Sequence, residues 1–341
     1  MNQEFLTCGS YEVYIAPLLK ILRETEKPLR ILLQAPDGLK HVYECLSLFL
    51  SDSTRRVEVY LSASPSFGAC DLPVDEAVVL GVDLIVHIGH EKYELAEYEW
   101  NNIPVVYLPV FYNGVVDESL FINLRRVLEE NKYYRITVSS SLVESKLKNK
   151  IAEYLLSSGF TVYNVSKPVI GCFYSNVLVY DREVDAHLVV VGGVFHPLGL
   201  ALSSSKPVVG IDPYMNRVWS VSEEAVKVLK RRFYEIYRAR NTGSKLGLII
   251  GARFAQYRPK LVEYLERIAV DSGYRVYRVT AGYLDVNRLI AIDDALKLDL
   301  YVVTSCPRLP IDDLNEFYKP VLTPGEFIAM VRGLDRYIYP W

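Results

Sequence analysis

Short apolar runs alternate with amphipathic stretches along most of the chain. Three of these runs begin at Leu29, Tyr134 and Lys245, and each ends in a loop containing turn residues or Gly. A stretch with apolar residues at helical spacing follows each run. In two copies a glycine, Gly159 or Gly273, marks the end of that helix. The pattern therefore predicts a strand–helix unit that occurs three times.

The rest of each repeat follows the same order. A second strand comes next, then an Asp that opens a buried third strand, then a Pro that introduces a fourth strand. The Asp and Pro pairs are Asp83 and Pro104, Asp185 and Pro207, and Asp299 and Pro320. They are separated by 21, 22 and 21 residues. Such alternation predicts parallel sheets with right-handed crossovers.

The predicted fold class is therefore α/β, with three similar parallel-sheet βαβ domains arranged around a central site. A chain of 341 residues is long enough for more than one core. We expect domains at 1–118, 119–240 and 241–341, with bridging helices near 117–131 and 222–238. Because no segment has the composition of a linker, the units should pack directly against one another.

Composition excludes several classes of function. The formal charge is −3 and no long basic block occurs, which argues against a nucleic-acid partner. The longest apolar stretch, 187–202, is interrupted by Gly, His and Pro and is too short for a membrane span. The first residues lack a secretion signal. We therefore expect a cytosolic protein with no membrane association.

Five cysteines occur, at positions 8, 45, 70, 172 and 306. The odd count and wide spacing, in a protein expected in the cytosol, argue against a disulfide framework. Cys45 lies on an apolar helical stretch and is expected in the core. Cys8 has no informative context and is interpreted as incidental.

The other three cysteines occupy related positions. Cys70 and Cys172 each stand 13 residues before the Asp of their repeat, and Cys306 directly follows the third strand of the last repeat. Loops at the carboxyl ends of parallel strands are where such sheets bind ligands. Three thiols suit zinc with one open position or a cubane iron–sulfur cluster, although each could also be a buried structural thiol. The related positions favour metal ligands over buried structural thiols, but the spacing does not choose between zinc and a cluster.

A set of motifs in order along the chain resembles the archaeal diphthamide-synthesis family, the 3-amino-3-carboxypropyl transferases of the first diphthamide step. The resemblance runs from about residue 29 to residue 313. The motifs that carry it are Gln34–Leu39, Ser66–Asp71, Gly81–His90, Phe195–Leu200, Asp212–Tyr214, Ser305–Arg308 and Ile311–Asp313.

The resemblance implies a homodimer, or a dimer with a paralogue, in which Cys70, Cys172 and Cys306 hold a 4Fe–4S cluster. It implies that the open iron engages S-adenosylmethionine and that an external donor supplies an electron. The bond between sulfur and the γ-carbon would break, and the 3-amino-3-carboxypropyl radical would add to a histidine of translation elongation factor 2. Methylthioadenosine would remain. No catalytic side chain is assigned.

The motifs also imply six cofactor-binding residues, and several have a second interpretation. Asp37 and Gly38 also fit a simple turn, and His90 and His196 could be structural. Arg308 could pair with a substrate carboxylate, tune the charge of the cluster or be solvated at the surface. The six residues are Asp37, Gly38, His90, His196, Gln256 and Arg308.

Two segments depart from the family pattern. Glu91 and Lys92 replace a Ser-Cys pair, and Ala252 and Ala255 replace the Thr and second Gly of a Gly-Thr-x-x-Gly-Gln stretch. These changes keep open a non-catalytic companion subunit of a paralogous transferase. A quinolinate-synthase-like 4Fe–4S enzyme and a structural zinc protein are further alternatives.

Overall fold

A computed structural model describes residues 4–52, 57–96 and 102–340. We call its three successive parts the first, second and third units. The first unit contains β1 (Phe5–Cys8), β2 (Tyr11–Tyr14), α1 (Ala16–Glu24), β3 (Leu29–Gln34), α2 (Val42–Ser51), β4 (Val57–Leu61), α3 (Val74–Leu80), β5 (Leu84–Ile88), β6 (Val105–Leu108) and β7 (Val110–Tyr112).

The second and third units repeat this alternation. The second contains α4 (Glu118–Glu130), β8 (Arg135–Ser140), α5 (Ser145–Ser157), β9 (Thr161–Asn164), α6 (Ser175–Leu178), β10 (Ala186–Val190), α7 (Phe195–Ser203), β11 (Val208–Asp212), β12 (Arg217–Ser220) and α8 (Ser222–Arg240). The third contains β13 (Lys245–Gly251), α9 (Pro259–Asp271), β14 (Arg275–Ala281), α10 (Val286–Leu296), β15 (Leu300–Val303), β16 (Val321–Leu322) and α11 (Pro324–Val331).

The three main sheets share one topology. Their strand orders are β4-β3-β5-β6, β9-β8-β10-β11-β12 and β14-β13-β15-β16. All neighbours in them run parallel except β12, which pairs antiparallel with β11 at an edge. In each unit the second strand flanks the first and the third strand lies on the other side of the first. The predicted α/β class with parallel sheets is confirmed.

The repeated aspartate has the same structural role in all three units. Its carboxylate accepts the backbone N–H at the start of the first strand, at 2.8 to 2.9 Å. Because the third strand begins directly after the aspartate, the two strands are fixed at one end of the sheet. Their carboxyl ends consequently lie together at the opposite edge. The three residues are Asp83, Asp185 and Asp299.

The units pack directly against one another, as expected. Helix α8 contributes Ala225 to the core of the second unit and Ile236 to the core of the third. Ile311 and Tyr339 of the third unit pack in the second unit's core. The predicted boundaries after residues 118 and 240 fall at the start of α4 and the end of α8, and the division into domains stays a prediction.

A buried ion pair joins α8 to the third unit. Arg232 and Glu326 have side-chain exposures of 1% and 0%, and two guanidinium nitrogens donate to the two carboxylate oxygens at 2.7 and 2.6 Å. The guanidinium also donates to the carbonyl groups of Pro310 and Val321. Full pairing is what makes burial of these charges tolerable. The network fixes the loop that follows Cys306.

A small antiparallel sheet is not among the predicted elements. Strands β1 and β2 form a hairpin, and β2 also pairs with β7. Gly9 lies in the tight turn with φ +62°. In the part of the chain described, no helix is both long and apolar enough to cross a membrane.

The expectation for two cysteines was wrong. Cys8 and Cys45 form a disulfide, with their Cα atoms 5.8 Å apart. The hairpin lays β1 against α2, so the thiol interpreted as incidental meets the one interpreted as a core residue. Spacing along the chain does not reveal this pairing, because it depends on where the hairpin packs.

Opening this disulfide should destabilise the first unit. The bond closes a segment with a sequence separation of 37, and loop-closure entropy predicts a loss of about 4 kcal/mol in the free energy of unfolding. Urea unfolding with and without dithiothreitol measures the loss. Cys45→Ala should already show the loss and respond no further to the reductant. Identical midpoints for the oxidised and reduced protein would contradict the prediction.

Candidate functional site

The three remaining cysteines all follow the carboxyl end of a strand. Cys70 lies in the loop after β4, Cys172 in the loop after β9, and Cys306 in the loop after β15. All three are free thiols with partial access to solvent. Since the fixed ends of the strands lie at the opposite edges, each unit presents one thiol at the edge where a ligand would bind.

The loops of Cys70 and Cys172 meet residues 254–255 of the third unit in a small apolar cluster shared by the three units. Its buried members are Ala69, Tyr93 and Ala255. Cys70 and Cys172 pack against it. Cys306 lies near enough for its charge to raise the pKa of the Cys70 thiol. The structure therefore brings together the three cysteines that the sequence singled out.

Burial is the main cause that raises the pKa of each thiol, and for Cys306 the pKa rises to about 11. Neighbouring thiols contribute a further increase at Cys70 and at Cys306, because adjacent thiolates repel each other. Three such thiols favour their protonated forms unless positive charge is supplied. A bound metal supplies that charge and deprotonates its thiol ligands.

Each sulfur has a hydrogen-bond donor within reach. The Gln256 side-chain amide donates to Cys70 Sγ at 3.8 Å, and the Tyr93 hydroxyl lies 3.5 Å from Cys172 Sγ. Backbone N–H groups of Arg308 and Leu309 lower the pKa of Cys306. Such donors stabilise thiolate ligands and tune their metal centres.

The arrangement of the three sulfurs fits an iron–sulfur cluster. In a cubane each thiolate binds its own iron, so the thiols need to share a neighbourhood rather than one ligand sphere. The apolar cluster and the donors to sulfur supply the surroundings that such a group requires. Within the described ranges, no group of three or more His, Cys, Asp or Glu side chains is arranged to hold a single metal ion.

An ion pair fastens the Cys70 loop to the third unit. Asp71 is completely buried, and one of its oxygens pairs with Arg253. Burial raises the pKa of Asp71 and the nearby guanidinium opposes that increase. Arg253 also donates to the carbonyl of Gly282 at 2.6 Å. The first thiol is thus held against the third unit by charge.

A chain of hydrogen bonds fixes the orientation of His90. The Gln34 amide donates to the Asp71 carbonyl at 2.7 Å, so its oxygen accepts from His87 Nδ1, also at 2.7 Å. Burial lowers the pKa of both histidines, that of His90 to about 4. Neutral His87 then accepts from His90 Nδ1 at 3.0 Å. His90 Nε2 keeps its lone pair as a result.

That lone pair faces the Cys70 loop. A methyl group placed on Gly68 would lie 3.8 Å from His90 Nε2 and 3.9 Å from Cys70 Sγ. The two atoms therefore border the same small space, which the absence of a side chain at residue 68 leaves open. His87 itself is a hydrogen-bonded core residue of β5, as the apolar strand around it indicates.

His196 lies near both His90 and Arg308. Burial, then the charges of His90 and Arg308, lower the pKa of His196 to about 4. Arg308 is buried rather than solvated, and its guanidinium lies 4.2 Å from the centre of the Phe195 ring. It pairs with Asp312 through two nitrogens, at 2.6 and 3.2 Å. This engagement favours a positioning role over pairing with a substrate carboxylate.

Of the six predicted cofactor-binding residues, Asp37 and Gly38 are placed differently. They lie in a 3₁₀ turn before α2, and both are exposed. The Asp37 carboxylate pairs with Lys40 at 2.7 Å. The turn interpretation explains the contacts of Asp37 and Gly38. Gln256, by contrast, contacts the thiol of Cys70. A cofactor-binding role for Asp37 and Gly38 stays a prediction.

Most residues that depart from the family pattern lie on the protein surface. Glu91, Lys92 and Ala252 are exposed, whereas Ala255 is buried in the apolar cluster. Tyr93, directly after the altered pair, turns inward and contacts Cys172. Of the four altered positions, Ala255 is thus the one that is buried in the apolar cluster with Cys70 and Cys172.

Several residues of the site were not predicted from sequence. Tyr93, Arg258, Asp71 and Arg253 each make a contact that crosses from one unit to another. Two of them had a local signal, because Asp71 is the last residue of the Ser66–Asp71 motif and Arg253 lies within the 251–256 stretch.

The chain is similar to known proteins in both sequence and fold. A model of the diphthamide synthesis protein family matches residues 35–338. The 2-(3-amino-3-carboxypropyl)histidine synthase of Pyrococcus horikoshii is 29% identical over 328 residues, which is 93% of this chain and 90% of that protein. The enzyme of that name from Methanocaldococcus jannaschii is 26% identical and covers the same shares of the two chains.

A solved structure has the same fold. The crystal structure of Dph2 from Pyrococcus horikoshii with a 4Fe-4S cluster matches with a TM-score of 0.80 and 26% identity. The match covers 98% of this chain and 94% of that one. The shared fold therefore extends over all three sheets.

Gly171, which precedes Cys172, leaves room for the Phe195 ring. A methyl group on Gly171 would lie 2.0 Å from a ring carbon, and its carbonyl accepts from the Tyr339 hydroxyl at 3.0 Å. Gly171→Ala should displace the ring and cost about 1–3 kcal/mol in the free energy of unfolding, measured in urea. Gly38→Ala is the matched control, because a Cβ added there meets no heavy atom of the described residues within 4 Å. Equal midpoints for the two variants would contradict the prediction.

Proposed function

Because the chain belongs to the diphthamide synthesis protein family, we propose that it is a 2-(3-amino-3-carboxypropyl)histidine synthase with a 4Fe–4S cluster. Cys70, Cys172 and Cys306 would hold the cluster. The single observation that carries this proposal is the proximity of three free thiols, one from each unit: Cys70 and Cys172 pack against one apolar cluster, and Cys306 lies near Cys70. The names and the cluster-bearing structure of similar proteins support it.

When bound, the cluster would supply one electron for reductive cleavage of S-adenosylmethionine and an open iron to engage it. The residues around it would orient and shield the substrate. Burial keeps His90 and His196 neutral, and the free Nε2 of His90 would accept from a ligand amino group. Tyr93 and Ala255 provide an apolar wall that excludes water from one side.

Arg308 would act by holding other groups in place. Its stacking on Phe195, its hydrogen bond to the Phe195 carbonyl and its pair with Asp312 fix the start of α7, where His196 lies. The exposed positions of Glu91, Lys92 and Ala252 support a site that still admits S-adenosylmethionine.

The acceptor would be a histidine of translation elongation factor 2, and an external donor would supply the electron. We propose that the chain acts as a homodimer or with a paralogue. These partners rest on the resemblance of the motifs to the family.

The first test concerns the cluster. Anaerobic reconstitution should give a brown protein with about four irons per chain. Single Ala substitutions at Cys70, Cys172 and Cys306 should each abolish most of the colour and iron content. Cys45→Ala is the matched control, because it also removes a sulfur but lies in the Cys8 disulfide. Stoichiometric zinc without iron uptake in the wild-type protein would refute the cluster.

The second test concerns activity. Dithionite-reduced protein with S-adenosylmethionine and unmodified elongation factor 2 should form methylthioadenosine and a factor heavier by one aminocarboxypropyl group. Cys306→Ala should form neither, because it lacks one ligand of the cluster. Both products are followed by mass spectrometry.

One outcome would favour the companion-subunit alternative. A protein that holds its cluster but leaves S-adenosylmethionine unbound, while raising the turnover of a paralogue, would contradict catalysis by this chain. The observation that supports this alternative is the buried Ala255, which packs in the apolar cluster beside Cys70 and Cys172.

A further inference from the structure

Tyr93 is the residue of the first unit that reaches the thiol of the second. Its side chain is buried with 8% exposure, beside Ala69 and Ala255. Its hydroxyl oxygen lies 3.5 Å from Cys172 Sγ. The third unit provides the other partner, because Arg258 Nη2 donates to the same oxygen at 2.7 Å.

The direction of these hydrogen bonds follows from the groups involved. A guanidinium can only donate, so the Tyr93 oxygen accepts from Arg258 and keeps its own proton available. A metal-bound thiolate carries no proton and can only accept. With Cys172 in its ligand form, the Tyr93 hydroxyl must therefore donate to the sulfur. Arg258, Tyr93 and Cys172 form a relay in which every donor points toward the sulfur.

The positive charge of Arg258 also acts directly on this sulfur. Arg258 is buried with 7% exposure. Its guanidinium lies 2.7 Å from the Tyr93 hydroxyl oxygen, which is itself 3.5 Å from Cys172 Sγ, so the charge sits close to the sulfur. In a water-poor site such a charge acts with little screening. Cys172 thus receives a cation and a polarised hydroxyl, whereas Cys70 receives a neutral amide at 3.8 Å.

We propose that Tyr93 and Arg258 raise the reduction potential of the iron–sulfur cluster by stabilising negative charge at the Cys172 sulfur. This inference rests on the proposed function, since it needs the cluster to be present. Reduction adds one negative charge to the cluster, and hydrogen bonds to its sulfurs or nearby cations stabilise the reduced form more than the oxidised form. Tyr93 and Arg258 are positioning residues here and take no part in bond breaking.

The test is a redox titration of the anaerobically reconstituted protein, followed by electron paramagnetic resonance. Tyr93→Phe removes the donor and should shift the midpoint potential to a more negative value. Arg258→Met removes both the relay and the direct charge, so its shift should be larger. The double variant should shift by less than the sum of the two single shifts, because part of each effect passes through the same hydroxyl.

Tyr107→Phe is the matched control. Tyr107 packs against the same apolar cluster, and the centres of its ring and of the His87 ring are 5.7 Å apart. The Tyr107 hydroxyl is not part of the relay, so the midpoint potential of the Tyr107→Phe variant should equal that of the wild type. A Tyr93→Phe variant with a full cluster and the potential of this control would overturn the proposal.

A second substitution covers the case in which Tyr93→Phe fails to retain the cluster. Tyr93→3-fluorotyrosine keeps the ring and the hydroxyl but makes the hydroxyl a stronger donor, and it should shift the potential to a more positive value. An unchanged or more negative potential would overturn the proposal. Failure of the wild-type protein to take up iron would instead refute the proposed function, so the two failures are distinguishable.

Discussion

The candidate site depends on the buried ion pair between Asp71 and Arg253. Asp71 is completely buried, and its second oxygen lacks a hydrogen-bond partner among the described residues. A carboxylate in this setting is costly unless a cation lies against it. Because Asp71 adjoins Cys70 and Arg253 belongs to the third unit, this requirement brings the first thiol to the third sheet. The Arg232–Glu326 pair plays the matching part for the loop after Cys306, through the Pro310 carbonyl.

The main architecture could be predicted from sequence because its determinants are local and repeated. The aspartate before each third strand accepts a backbone N–H of the first strand. The proline before each fourth strand offers its carbonyl to an N–H of the third, at 2.9 to 3.0 Å. Two short contacts per unit thus set the order of strands. The hairpin β1–β2 and the edge strand β12 carry no such mark, and as short antiparallel strands they depend on what they pack against.

The same distinction applies to the site. The three thiols could be found because their positions recur relative to the strands. Contacts between units could not, since Tyr93 and Arg258 are 165 residues apart and Asp71 and Arg253 are 182 apart. Arg308 shows a related difficulty, because its motif gave no sign of the pair with Asp312 or of the Phe195 ring beneath it. Side-chain roles there follow from how the loops of different sheets meet.

The location of the Cys8–Cys45 disulfide bears on how five cysteines are sorted during biosynthesis. Protein synthesis proceeds from the N-terminus, so both of these sulfurs emerge from the ribosome before Cys70, Cys172 and Cys306 do. The two cysteines that pair are therefore the first thiols of the chain to become accessible to an oxidant. The order of translation thus gives this pair the first opportunity to close, and a pair that closes then leaves no partner among the early cysteines for the three later thiols.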